Sequence, residues 1–120
     1  MSLIATQVQN ILEELFPAKP FKQVTCEYYI NYKGQKLFFD FHIKKLNVVV
    51  EVQGQQHTKF VSHFHVTRDN FLKQKERDNL KRVWAEENDV SLVRFNYDEE
   101  ITKQLVLHKI DKSIKDGFYE

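Results

Sequence analysis

The sequence predicts an α/β domain in which a mixed four-stranded sheet, an antiparallel meander plus one parallel strand, is flanked by helices. Three observations predict it. Leu37, Phe39, Phe41 and Ile43 alternate with Phe38, Asp40 and His42, and shortly afterwards Val48, Val50 and Val52 alternate with Val49, Glu51 and Gln53, the two-residue period of strands. Apolar residues at helical spacing stand near both ends of the chain. A long polar segment separates the third apolar strand from a fourth, so these two are expected to pair in parallel through a crossover.

Taken in order, Ile4, Val8, Ile11, Leu12 and Leu15 form one helical stripe. Ser2 or Thr6 stands near its start, and Pro17 and Pro20 end it, predicting a helix over 2–16. Residues 25–32 are rich in β-branched and aromatic side chains, and Lys33-Gly34-Gln35 turns the chain into the second strand. Lys44 to Asn47 close a second hairpin, and Gly54 ends the third strand. The run FVSHFHV at 60–66 reads as a loop with a short strand. From about 67 to 88 a helix is predicted, with Thr67 as a cap and Leu72, Leu80, Val83 and Trp84 as its apolar stripe. Ser91 to Tyr97 is the fourth strand. Ile101, Leu105 and Ile114 mark a closing helix that frays toward Gly117.

The 120 residues suit one domain, with enough chain to bury a core unaided. The 42% hydrophobic content, with ten Phe and five Tyr, excludes a disordered chain. A lone Cys26 excludes disulfides and suits a reducing compartment. No apolar run reaches the roughly 20 residues of a membrane span, and no secretory leader is evident; a cytoplasmic, soluble protein is expected. The formal net charge of +1 does not select a partner. Between residues 59 and 82, however, seven cations face three acids, which points to a phosphate-bearing partner or to a solvated helix face.

The chemistry centres on the second hairpin. In its register paired residues sum to 91, so Asp40 lies opposite Glu51. Like charges at such positions destabilise a sheet, and a divalent cation with oxygen ligands is the simplest compensation. Mg²⁺, with Mn²⁺ as a substitute, would be held by Asp40, Glu51 and the carbonyl of Val52. His57, just past the strand, is placed to accept a proton from water or to orient it. Such a set suits phosphodiester hydrolysis. Lys59, Arg68, Lys75 and Arg82 would neutralise backbone phosphates of double-stranded DNA. In the first helix Glu14 lies nearer the apolar stripe than Glu13 and is the better candidate for a carboxylate turned to the site. On spacing alone Asp78 is a surface acid, sharing a side with Phe71, Lys75 and Arg82.

The runs FFDF, VVVEVQGQQH and QKERDNLKRVWAEENDVSLVRFNY together resemble the restriction-endonuclease-like PD-(D/E)XK superfamily. More narrowly they resemble its very-short-patch repair branch and the phage and intron homing endonucleases with an EDxHD signature. The resemblance covers about 38–97, and by element order the first helix. It implies a restriction-endonuclease-like core. Within it Asp40 is the metal-binding aspartate, His57 the catalytic histidine, and Asp78 the final aspartate supporting that histidine or a metal-bound water, against the surface placement that spacing prefers. The chain departs from the pattern at Gln53, where the wider superfamily has a lysine. Glu51 matches that superfamily's second acid, and the first-helix glutamate of the signature falls near Ala5, leaving Glu14 as a displaced candidate.

The function expected is therefore that of a Mg²⁺-dependent DNA endonuclease, the catalytic domain of a homing endonuclease of the phage type acting in a bacterial host; either this domain reads its target itself or a separate DNA-recognition domain is absent from this chain. A very-short-patch mismatch nickase is one alternative, although apart from Phe60 and Phe64 no aromatics placed to intercalate at a mismatch are evident. A nuclease-like domain that binds nucleic acid without cutting is another. A zinc site of His57, His63 and His65 lacks a second cysteine. A double-strand break would need two chains or two nicks, which makes a homodimer compatible with the chemistry.

Overall fold

A computed structural model describes residues 1–54 and 68–120. The chain runs α1 (Leu3–Leu15), β1 (Val24–Tyr32), β2 (Gln35–Ile43), β3 (Val48–Gln53), α2 (Arg68–Glu87), β4 (Ser91–Asn96), α3 (Lys103–Asp116) and β5 (Phe118–Tyr119). The strands form one sheet in the order β1-β2-β3-β4-β5, so the sheet has five strands where four were expected. The first three are antiparallel neighbours. β3 pairs with β4 in parallel, and β4 with β5 likewise. The fifth strand exists because Gly117, at φ +85°, ends α3 in the left-handed conformation that glycine adopts without penalty. The chain then turns along β4, where Leu92 N–H donates to the Gly117 carbonyl at 3.0 Å.

Local chemistry sets the other boundaries. The Ser2 hydroxyl accepts from Ala5 N–H at 3.1 Å and caps α1, and the Thr102 hydroxyl does the same for Leu105 in α3. Lys33 and Gly34 both have positive φ, the geometry of a two-residue hairpin turn whose twist matches the flanking strands. The β2–β3 pairs are Phe41–Val50, His42–Val49 and Ile43–Val48, which is the register in which numbers sum to 91.

Helices cover the sheet on both faces. Val8 and Leu12 of α1 and Val106 and Ile110 of α3 pack with Phe41, Ile43, Val48, Val50, Val93 and Phe95. On the other face Ala85 of α2 packs with Phe39, Val49 and Leu92, joined by Trp84, Tyr28 and Ile30. Phe39 and Phe41 therefore serve different cores, although they are two apart in one strand. A single apolar row from Leu37 to Ile43 does not hold. The row changes face at Glu27 and Asp40, the one position across from each other where the β1–β2 ladder skips a pair between Cys26–Phe41 and Tyr28–Phe39. Glu27 sits there at φ +53°. Stacking of Tyr28 on His42, with ring centroids 4.3 Å apart, follows from this change, because an uninterrupted strand would put those rings on opposite faces.

The buried side of α2 also differs from the expected stripe. Asp78 and Ala85 are buried, whereas Leu72 is 52% exposed. The helix is mostly charged, so the few apolar residues do not identify its inner face. Ile114 of α3 is likewise exposed, and Val106, Lys109, Ile110 and Ser113 take the buried positions.

Candidate functional site

Beyond Phe41–Val50 the strands β2 and β3 part, while β2 continues to pair with β1 as far as Tyr32–Gln35. Asp40 stands at the fork. Its carboxylate Oδ2 accepts the backbone N–H of Val52 at 2.7 Å, replacing a ladder bond with a charge-assisted one. Distortions of this kind commonly re-aim a side chain beside a functional site. The fork opens as a cleft of about 510 Å³, bordered by Glu27, Tyr29, Phe38 and Phe39 on the hairpin side and by Glu51, Val52 and Gln53 on β3, with Lys81 entering from α2.

Glu51 is buried and answered by two cations. Lys81 Nζ donates to its Oε1 at 2.5 Å and Arg94 Nε to its Oε2 at 3.1 Å. Arg94 is its direct partner across the parallel β3–β4 pair, and Arg94 Nη2 also donates to the backbone carbonyl of Asp78 at 2.5 Å. A buried carboxylate needs such partners, because desolvation penalises an uncompensated charge by several kcal/mol. Protein groups thus supply compensation for the two carboxylates where a divalent cation was expected as the simplest one. Among the described residues, Val52 N–H bonds Asp40, and Lys81 with Arg94 neutralises Glu51.

Asp78 is buried, not a surface acid. It lies on the inner side of α2 with Lys81 three residues on and Ala85 seven residues on, the spacing of one helical face. Gln53, at 4% exposure, closes the β3 wall of the cleft. Glu14 does not join them. It belongs to the helix on the opposite face of the sheet, is exposed, and pairs with Lys103 at 3.0 Å. Glu13 accepts from Gln9 at 3.0 Å on that same helix. His57 and Lys59 lie outside the described residues, as do Phe60, His63, Phe64, His65 and Thr67.

Of the basic residues expected on DNA, Arg68 and Lys75 are exposed on the first half of α2. Arg82 turns elsewhere, its guanidinium 4.6 Å from the Phe118 ring, in a different depression bordered by Val90, Ser91 and Gly117. The sequence reading missed Lys81, Arg94, Tyr29 and Phe38. The signal for Lys81 was its position three residues after Asp78; for Arg94, its place in an otherwise apolar strand.

Mg²⁺ needs only one or two carboxylates, the rest of its shell being water and substrate oxygen. Asp40 and Glu51 both line the cleft, but both oxygens of Glu51 already accept from Lys81 and Arg94, so a cation there would share or displace those donors. Among the described residues no group of three or more His, Cys, Asp or Glu is gathered to hold a metal, so any ion here would rely on water and phosphate as well. No helix among the described residues is long and apolar enough to cross a membrane.

Comparison with known proteins gives two viral relatives. The chain is 41% identical over 61 residues to uncharacterized protein 307L of Invertebrate iridescent virus 6, covering 51% of this chain and 31% of that protein. It is 37% identical over 65 residues to uncharacterized protein 094L of Frog virus 3 (isolate Goorha), covering 53% of this chain and 42% of that protein. The matched segment thus spans less than half the length of either relative. No protein-family model matches the chain, and no solved structure does.

Proposed function

We propose that this is a metal-dependent DNA endonuclease domain on a restriction-endonuclease-like core, of the homing-endonuclease type. The observation that carries the reading is the carboxylate of Asp40 at the strand fork, 2.7 Å from Val52 N, in an open cleft that Glu51, Gln53 and Lys81 also line. A bound Mg²⁺ or Mn²⁺ would supply Lewis acidity toward the scissile phosphate and lower the pKa of a bound water. The residues of the chain do the rest. Asp40, fixed by the Val52 N–H, presents its carboxylate without having to reorganise. Lys81 supplies the positive charge that Gln53 cannot, at the same cleft but from α2. Arg94 holds Glu51 to the Asp78 turn of the helix and keeps these groups in one geometry. His57, three residues after Gly54 and the histidine of the signature by resemblance, would take the proton from the attacking water or orient it. Arg68 and Lys75 would meet backbone phosphates of double-stranded DNA, adding affinity that falls with salt.

The test is nicking of supercoiled plasmid with Mg²⁺, Mn²⁺ or EDTA, comparing wild type with Asp40→Asn. Cleavage by wild type only, and only with metal, supports the reading. The mutual neutralisation of Glu51 by Lys81 and Arg94 favours a second one, a nuclease-like domain that binds DNA without cutting it. DNA retention with no cleavage in either metal would select that second reading. A mismatch nickase would instead cut a mismatched duplex in preference to its matched counterpart.

A further inference from the structure

Past the Glu27–Asp40 step, the β1–β2 hairpin carries two large rings that the rest of the described chain leaves open. Tyr29 and Phe38 are register partners, 55% and 52% exposed, with ring centroids 5.7 Å apart and planes inclined by 47°. Both rings border the cleft that contains Asp40 and Lys81. Side by side and inclined, they do not stack on each other; one face of Tyr29 lies under Lys36, and both rings remain more than half exposed. Between them, residues 29–38 include Lys33 and Lys36 and no acid, and Lys36 Nζ stands 4.7 Å from the Tyr29 ring centroid. The hairpin therefore combines an aromatic surface with a cationic rim.

We infer that Tyr29 and Phe38 form a stacking platform for an unpaired nucleobase of DNA, so that the cleft takes a nucleotide from a single-stranded or unpaired stretch beside the phosphate to be cut. An aromatic ring with an adjacent anion is what a nucleotide offers, and an aromatic pair with adjacent lysines is its complement. Fully paired duplex hides its π faces in the stack and presents only edges in its grooves, so the rings would have nothing to cover. The inference rests on the nucleic-acid part of the proposed function and names its substrate class.

The experiment uses the full chain in EDTA, with fluorescence anisotropy of labelled duplexes that are either fully paired or interrupted by a short single-stranded gap. Wild type is expected to favour the gapped DNA. The double variant Tyr29→Ala/Phe38→Ala should lose about tenfold in affinity for the gapped DNA and nothing for the paired one, while Tyr29→Phe/Phe38→Tyr keeps the preference. A 2-aminopurine placed in the gap should be quenched on binding wild type. Equal binding of the two DNAs by wild type, unquenched 2-aminopurine, or an alanine variant that binds the gapped DNA like wild type would each overturn the platform. So would a variant that merely converts a dimer to a monomer in sedimentation, since the rings would then be a self-association surface. Plasmid cleavage by the same proteins separates the two readings. Gap preference without any metal-dependent cutting keeps the platform and defeats the nuclease; cutting without gap preference does the reverse.

Discussion

Asp40 has two tasks in this structure, and substitutions at one position can separate them. Its carboxylate accepts the Val52 N–H at 2.7 Å, and its charge faces the cleft. Asp40→Ala removes both, leaving the partly buried N–H without its acceptor at a cost of about 2 kcal/mol. Asp40→Asn keeps an acceptor of the same shape and loses the charge assistance, at about 1 kcal/mol. For a chain of this length the unfolding entropy makes 1 kcal/mol equivalent to about 4 °C in Tm. The alanine variant should therefore melt about 8 °C below wild type and the asparagine variant about 4 °C below it. Metal-dependent plasmid nicking should vanish in both, because neither retains the carboxylate. Thermal unfolding by circular dichroism and the nicking assay together test this. Equal melting of wild type and Asp40→Ala would show that the Asp40–Val52 bond contributes nothing, and nicking at the wild-type rate by either variant would remove Asp40 from the chemistry.

Other perturbations probe the surroundings of the cleft. Arg94→Met strips one of two cations from Glu51 and a donor from the Asp78 carbonyl, and should lower stability by about 3 kcal/mol in urea unfolding; a loss below about 1 kcal/mol would mean that Lys81 alone suffices. Lys81→Gln removes the cation that competes with a metal for Glu51, so Mn²⁺ should bind the variant more tightly, by about tenfold in titration calorimetry; unchanged affinity would exclude Glu51 as a shared partner. Cys26 has its thiol pKa raised, first by burial and then by the nearby Glu13 charge, which keeps the reactive thiolate scarce. Its reaction with a disulfide reagent at neutral pH should be slower than that of free cysteine and should accelerate only at higher pH than free cysteine needs. Gly117→Ala should cost about 1 kcal/mol, since the left-handed turn into β5 favours glycine; no change in Tm would show that the turn relaxes.

The register of the β2–β3 hairpin was legible because a two-residue or a four-residue loop within Lys44 to Asn47 gives the same pairing, and the parallel pairing of β3 with β4 because a long helical segment separates them. The placement of Asp40 beside the Glu51–Val52 peptide followed from that register. The change of face at Glu27–Asp40 was not legible, since the residue alternation runs through it without a break and only Glu27's positive φ reverses the sides. Asp78 was misread from spacing for a related reason. In α2 the inner positions are occupied by Asp78, Lys81 and Ala85, so apolar periodicity points to the wrong side. β5 was hidden by its length of two residues, too short to show any period. Glu14 failed because its place near an apolar stripe says which helix face it borders, not which face of the sheet that helix covers.

The face change also settles how β1 can slide against β2. In an ordinary hairpin a slip of two residues restores the same inside and outside rows, so alternative registers compete closely. Here any slip would carry the reversal on one strand away from the reversal on the other, sending Phe39 or Phe41 to the side where its core is not. The step therefore acts as a registration key, cut into both strands at once, and it lies on the same rung from which the Asp40 carboxylate reaches Val52.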